Sequence, residues 1–129
     1  MENLNKQERV DELIQQFWKN GYLTLSRKYG TFLPDPPKIG EYDIDALGKY
    51  KNQYAIGITL SEDEINSPSI NDKIEYLASR HNRFSHKNVI LFLSVPGTCQ
   101  LKMKKIIAAL NNDIRKNIRL TTLPKATIN

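Results

Sequence analysis

The chain has 129 residues, 40% of them hydrophobic and 26% charged, enough for one domain with a modest core and too few for two independent ones. Its 19 Lys and Arg against 14 Asp and Glu give a formal charge of +5, and apolar residues recur along its whole length, which excludes a disordered or low-complexity chain. The most apolar run, Val89 to Val95, is far shorter than the roughly 18 residues of a membrane span, and the start MENLNKQERV is too polar for a signal peptide. A lone Cys99 rules out an internal disulfide and a cysteine-based zinc cluster. These features lead to the expectation of a cytoplasmic protein with no membrane association.

Val10, Leu13, Ile14, Phe17 and Trp18 follow the spacing of one helical face, so a helix is expected over about 6–20, stopped by Asn20-Gly21. Tyr22 to Leu25 reads as a first strand, and Pro34, Pro36 and Pro37 impose a loop after it. From Glu41 to Leu47 apolar and acidic residues alternate, which predicts a second strand with Tyr42, Ile44 and Ala46 on one face and Glu41, Asp43 and Asp45 on the other. A polar turn over 48–53 then leads into Tyr54 to Leu60, the third strand of an antiparallel hairpin.

Ser67-Pro68 supplies an N-cap followed by proline at the first helical position. The helix it opens should bury Ile70, Ile74, Leu77, Ala78 and His81 and end near residue 82. Val89 to Val95 reads as a central strand covered on both faces. A helix over about 100–114 buries Met103, Ile106, Ile107, Leu110 and Ile114 and exposes Lys102, Lys104 and Lys105. Asn117 to Leu123 closes the order α-β-β-β-α-β-α-β, a single domain over 1–123 with a tail over 124–129.

Charge is unevenly distributed. Residues 1–79 hold 9 Lys/Arg and 13 Asp/Glu, whereas residues 80–129 hold 10 Lys/Arg and only Asp113. Such a basic half favours a polyanion, because phosphate contacts release condensed counterions. Arg80, Arg83, Lys102, Lys104 and Lys105 are the expected phosphate contacts, with DNA the expected nucleic acid. On the acidic side, Glu41, Asp43 and Asp45 projecting together would repel one another unless a divalent cation relieved them; an edge strand with a wet acidic face is the plainer alternative.

The hairpin Gly40-Glu41-Tyr42-Asp43-Ile44-Asp45-Ala46, a short turn, then Tyr54-Ala55-Ile56-Gly57-Ile58-Thr59 resembles the core of the PD-(D/E)xK nuclease superfamily, which includes restriction endonucleases and Holliday junction resolvases. The order of elements agrees over roughly residues 8–123. The resemblance implies a restriction-endonuclease-like three-layer α/β domain, a central mixed sheet flanked by helices. It places the superfamily aspartate on Asp43 or Asp45, and a helix-one glutamate on Glu12, with Glu41 beside them. It also implies Mg²⁺ or Mn²⁺, bound weakly through Asp43 and Asp45. The Glu-x-Lys of the superfamily falls on Gly57-Ile58-Thr59, which removes a metal ligand and the ammonium beside the attacking water and should impair phosphodiester hydrolysis. Lys49, Lys51, Glu62, Glu64 and Glu75 are the candidates for relocated groups.

His81 and His86 lack a standard ligand spacing, and Cys99 lacks a local histidine partner. Neither GxxxxGK[ST] nor GxGxxG occurs, so no nucleotide cofactor is expected. The expected function is a nucleic-acid-binding protein of nuclease descent with a degenerate or relocated metal-dependent site. The alternative is a non-enzymatic assembly or interaction subunit that uses Phe32, Tyr50 and Phe84 as contacts; on either reading a homodimer is among the expected partners.

Overall fold

A computed structural model describes residues 4–82 and 86–124. Five strands form one mixed sheet in chain order: β1 (Leu23–Arg27), β2 (Ala46–Tyr50), β3 (Gln53–Thr59), β4 (Ile90–Pro96) and β5 (Ile118–Leu123). The first three pair antiparallel, and β3, β4 and β5 run parallel. Parallel pairing requires crossovers, which carry α2 (Glu62–Ile65) and α3 (Ile70–Ala78) before β4, and α4 (Gln100–Ala108) and α5 (Asn112–Arg115) before β5. With α1 (Lys6–Lys19) the protein is α/β, its sheet flanked by helices on both faces.

The two faces have separate cores, and strand alternation divides them. Val10, Leu13, Ile14 and Phe17 of α1 pack on Ala46, Ala55 and Phe92. Ile56, Ile58, Leu91 and Leu93 point the other way, onto Ile74 and Leu77 of α3 and Met103 of α4. On the α1 side the sheet presents small residues. A Cβ at Gly48 would stand 2.9 Å from the Phe17 ring, and one at Gly57 would stand 2.9 Å from Leu13 Cδ2 and 3.0 Å from Phe17 Cζ. The glycines therefore let the helix sit close to the strands. Phe17 also meets Phe92 edge-on at 5.2 Å.

Several expectations need correction. The second strand begins at Ala46, not near Glu41. Gly40 takes φ +63°, and Ile39 and Tyr42 exchange backbone hydrogen bonds of 3.0 and 3.1 Å in a tight turn. Ile44 then faces the α3 side and Ala46 the α1 side, so the chain turns over between them and 41–47 shares no common face. The turn of the hairpin is only Lys51-Asn52, with Tyr50 paired to Gln53.

Between β3 and β4 there are two helices, not one. Ser61 and Glu64 form a capping box that nucleates α2, and α3 starts at Ile70, past Ser67-Pro68. The helix expected over 100–114 breaks after Ala108, because the Asn111 side chain accepts the Asp113 N–H at 2.9 Å and starts α5. The order is thus α-β-β-β-α-α-β-α-α-β. His81 is exposed in an isolated bridge to Asn88, beyond the end of α3, and not on a buried helical face.

No helix among the described residues is long and apolar enough to cross a membrane. Arg83, Phe84 and most of the segment 124–129 lie outside the described residues. Because Phe17 is completely buried between helix and sheet, Phe17→Ala should cost about 3–5 kcal/mol, read as a lowered midpoint in urea denaturation.

Candidate functional site

Asp45 is the buried acidic residue of this sheet, with 4% of its surface exposed. It stands just before β2, where its N–H donates to the Gly57 carbonyl at 2.9 Å and its carbonyl accepts the Lys28 N–H at 2.9 Å. Its Oδ2 accepts the Thr59 N–H at 2.8 Å. Its Oδ1 lies 3.0 Å from Lys6 Nζ and 3.8 Å from Lys28 Nζ. Lys6 comes from the first turn of α1, held there by the Asn5–Glu8 capping box, and its ammonium also reaches the Thr59 carbonyl at 3.5 Å. One carboxylate therefore joins α1, the segment after β1, the start of β2 and the end of β3. Burial of a carboxylate demands such compensation.

The other acidic candidates do not join it. Glu41 and Asp43 are exposed in the segment leading to β2. Tyr42, between them, has its phenol pushed up, first by burial and then by the carboxylates of Glu41 and Asp72. Glu12 is half-buried on the flank of α1 that faces β4 and β5, where it lines an open cavity of about 270 Å³ with Gln16, Lys19, Ser94, Thr121 and Thr122. Ser94 and Thr121 bond each other across β4 and β5 at 3.0 Å. No three His, Cys, Asp or Glu side chains converge as a metal-ligand set among the described residues. Asp45 with two lysines against it does not suit a hard divalent cation, which needs several oxygen ligands together. The implied Mg²⁺ or Mn²⁺ therefore does not fit the residues present.

The positions matching Glu-x-Lys are filled from above. Gly57 lies under Leu13 and Phe17, and Thr59 is buried with its hydroxyl unpartnered among the described residues. Arg9, on α1, likewise has Nε and Nη1 buried without a partner there. Of the candidates for relocation, Glu64 is spent on its capping box, while Glu62 and Glu75 are exposed on α2 and α3. Lys49 and Lys51 lie over the rings of Tyr54 and Tyr50, at 5.2 and 5.4 Å from the centroids.

Among the basic candidates, Arg80 stacks its guanidinium 3.8 Å over Tyr76 and donates to the Tyr76 carbonyl at 2.9 Å. Lys102 donates to the Asn66 side chain. Lys104 and Lys105 are exposed on α4, as are Arg115 on α5 and Lys116 at its C-cap. His86 is exposed with φ +57°, and Cys99 is a buried free thiol.

Sequence reasoning named Asp45 but missed Lys6 and Lys28 as its partners. The signal was faint: a lysine in the first turn of a helix opposes the helix dipole, and it is tolerated here beside a carboxylate. No protein-family model, curated protein or solved structure matches this chain.

Asp45→Ala should lower stability by about 2–4 kcal/mol, since it strands the buried Thr59 N–H. Lys6→Ala should cost about 1 kcal/mol or less, because that ammonium is partly solvated. Chemical denaturation of the two variants side by side checks this order. In Gly57→Glu, Thr59→Lys the glutamate would displace Leu13 and Phe17 and the lysine would add a charge at a buried position, so this variant should unfold at lower temperature in a thermal melt and gain no Mg²⁺-dependent cleavage.

Proposed function

We propose that this chain is a nucleic-acid-binding protein of restriction-endonuclease-like fold that does not hydrolyse its ligand. The observation that carries the reading is Asp45, one of the two residues onto which the resemblance would put a metal-binding aspartate, which has Lys6 and Lys28 against its carboxylate. Support for the fold is the hairpin joined to a parallel strand and flanked by helices. Hydrolysis would need a second carboxylate and an ammonium aimed at a water; at those positions stand Gly57 and Thr59 beneath α1.

Binding draws on the basic half of the chain. Lys104, Lys105 and Arg115 on consecutive helices, and Lys116 just past the second of them, are solvent-exposed, and Asp113 is the sole Asp or Glu in residues 80–129. Exposed cations of this kind contact phosphates without reading base sequence. Arg80, held on Tyr76, contributes charge from a fixed position.

Fluorescence anisotropy with labelled single-stranded and duplex DNA over a range of salt tests the reading. Wild type should bind with an affinity that falls steeply as salt rises. Lys104→Ala, Lys105→Ala should weaken binding to all sequences alike and flatten the logarithmic salt slope by about two units. Absence of salt-dependent binding, or DNA cleavage by wild type in Mg²⁺, defeats it.

A further inference from the structure

The edge of the sheet at β1 carries an unusual load of exposed apolar side chains. Among the described residues, seven of the eight large hydrophobics that face solvent lie between Trp18 and Tyr50, and the remaining one is Leu101. Trp18 lies in the last turn of α1, Leu23 and Leu25 belong to β1, and Tyr29, Phe32 and Leu33 follow in the loop. Phe32 is 96% exposed and Leu23 73%. Soluble chains usually blunt an unpaired edge with charges, proline or a bulge; this one has an irregularity between Thr24 and Ser26 but presents exposed leucines at 23 and 25. The loop does cover part of it: the Arg27 N–H is taken by the Pro34 carbonyl at 3.0 Å. That leaves the stretch Leu23 to Leu25 open for pairing.

We propose that two copies of this chain meet along β1 in an antiparallel, two-fold arrangement that continues the sheet from one copy into the other. Three features select a second copy as the occupant. A two-fold contact must be self-complementary, and a short strand paired antiparallel to itself satisfies that condition, with Leu23 of one copy opposite Leu25 of the other. Charge permits the approach: residues 11–35 hold three Lys/Arg and three Asp/Glu, so this stretch is neutral on a chain of net charge +5. Arg27 and Asp11 within it already pair at 2.5 Å. The same neutrality disfavours a polyanion on this edge. Lastly, the six exposed side chains from Trp18 to Leu33 present on the order of 700 Å² of apolar surface, against the ~800 Å² that each partner buries in a standard interface.

Sedimentation velocity of the full chain should show a species with the mass of two chains at micromolar concentration. Phe32→Asp should raise the dimer dissociation constant by roughly 30-fold or more and leave the far-ultraviolet circular dichroism unchanged. Leu101→Asp, at the remote exposed leucine, should leave the dimer intact. As a measurement independent of that charge, Leu23→Cys, Leu25→Cys should form an interchain disulfide on mild oxidation. Opposed strand residues stand about 4.5–5.5 Å apart at Cα, within disulfide reach, and the native Cys99 is buried. A wild type that remains monomeric overturns the proposal and leaves this edge to a different protein. A dimer broken by Leu101→Asp but not by Phe32→Asp also overturns it, and so does a cysteine variant that fails to cross-link.

Discussion

A carboxylate buried at the start of β2 has to be neutralised, and the way Asp45 is neutralised fixes how the layers of this protein meet. Its charge draws Lys6 down from the first turn of α1 and Lys28 in from the far end of β1, while its second oxygen takes the Thr59 N–H at the end of β3. Each partner comes from a different segment, so the contact works as a clamp whose loss exposes several ends at once. Buried ion pairs contribute little net stability compared with an apolar replacement of equal shape, yet removing the fully buried member, here Asp45 rather than the partly solvated Lys6, is expensive. Asp45 is thus better described as a device that sets register and helix placement than as a source of stability.

The clamp acts together with the glycines of the sheet. Lys6 anchors one end of α1, and Gly48 and Gly57 let Phe17 and Leu13 sink onto the strands further along. A side chain at Gly57 would lift the helix and move Lys6 away from Asp45. Electrostatics and packing are therefore coupled through one rigid helix. The space that a metal-binding glutamate would need is the space into which the helix packs.

What could be read from the sequence follows from which forces are local. The spacing of Val10, Leu13, Ile14 and Phe17 specified α1 nearly to the residue, although Trp18, expected on the same face, is exposed, and the unbroken apolarity of Val89 to Val95 specified the buried β4. Both patterns record one surface meeting one core. The segment 41–47 misled because its alternation is real in composition while its residues serve two cores, Ile44 on one side of the sheet and Ala46 on the other. Side-chain hydrogen bonds also moved boundaries that periodicity alone cannot see: Asn111 split the last helix, and Ser61 with Glu64 created α2. Asp45 stood out as a candidate residue, but its partners are 39 and 17 positions away, and no local pattern links them.

The polarity of the Asp45 locus follows from the same arrangement. A metal site without its ion holds an excess of negative charge, and that excess is what recruits the cation. Here one carboxylate faces two ammonium groups, so the locus is net positive by one charge. Glu41 and Asp43, the carboxylates that could have reversed this, are turned into solvent by the tight turn at Gly40. Asp45 therefore faces two ammonium groups where a divalent cation would need further oxygen ligands. Building a metal site here would require removal of Lys6 and Lys28 as well as insertion of a second carboxylate, and removing Lys6 also releases a contact that ties the start of α1 to the sheet.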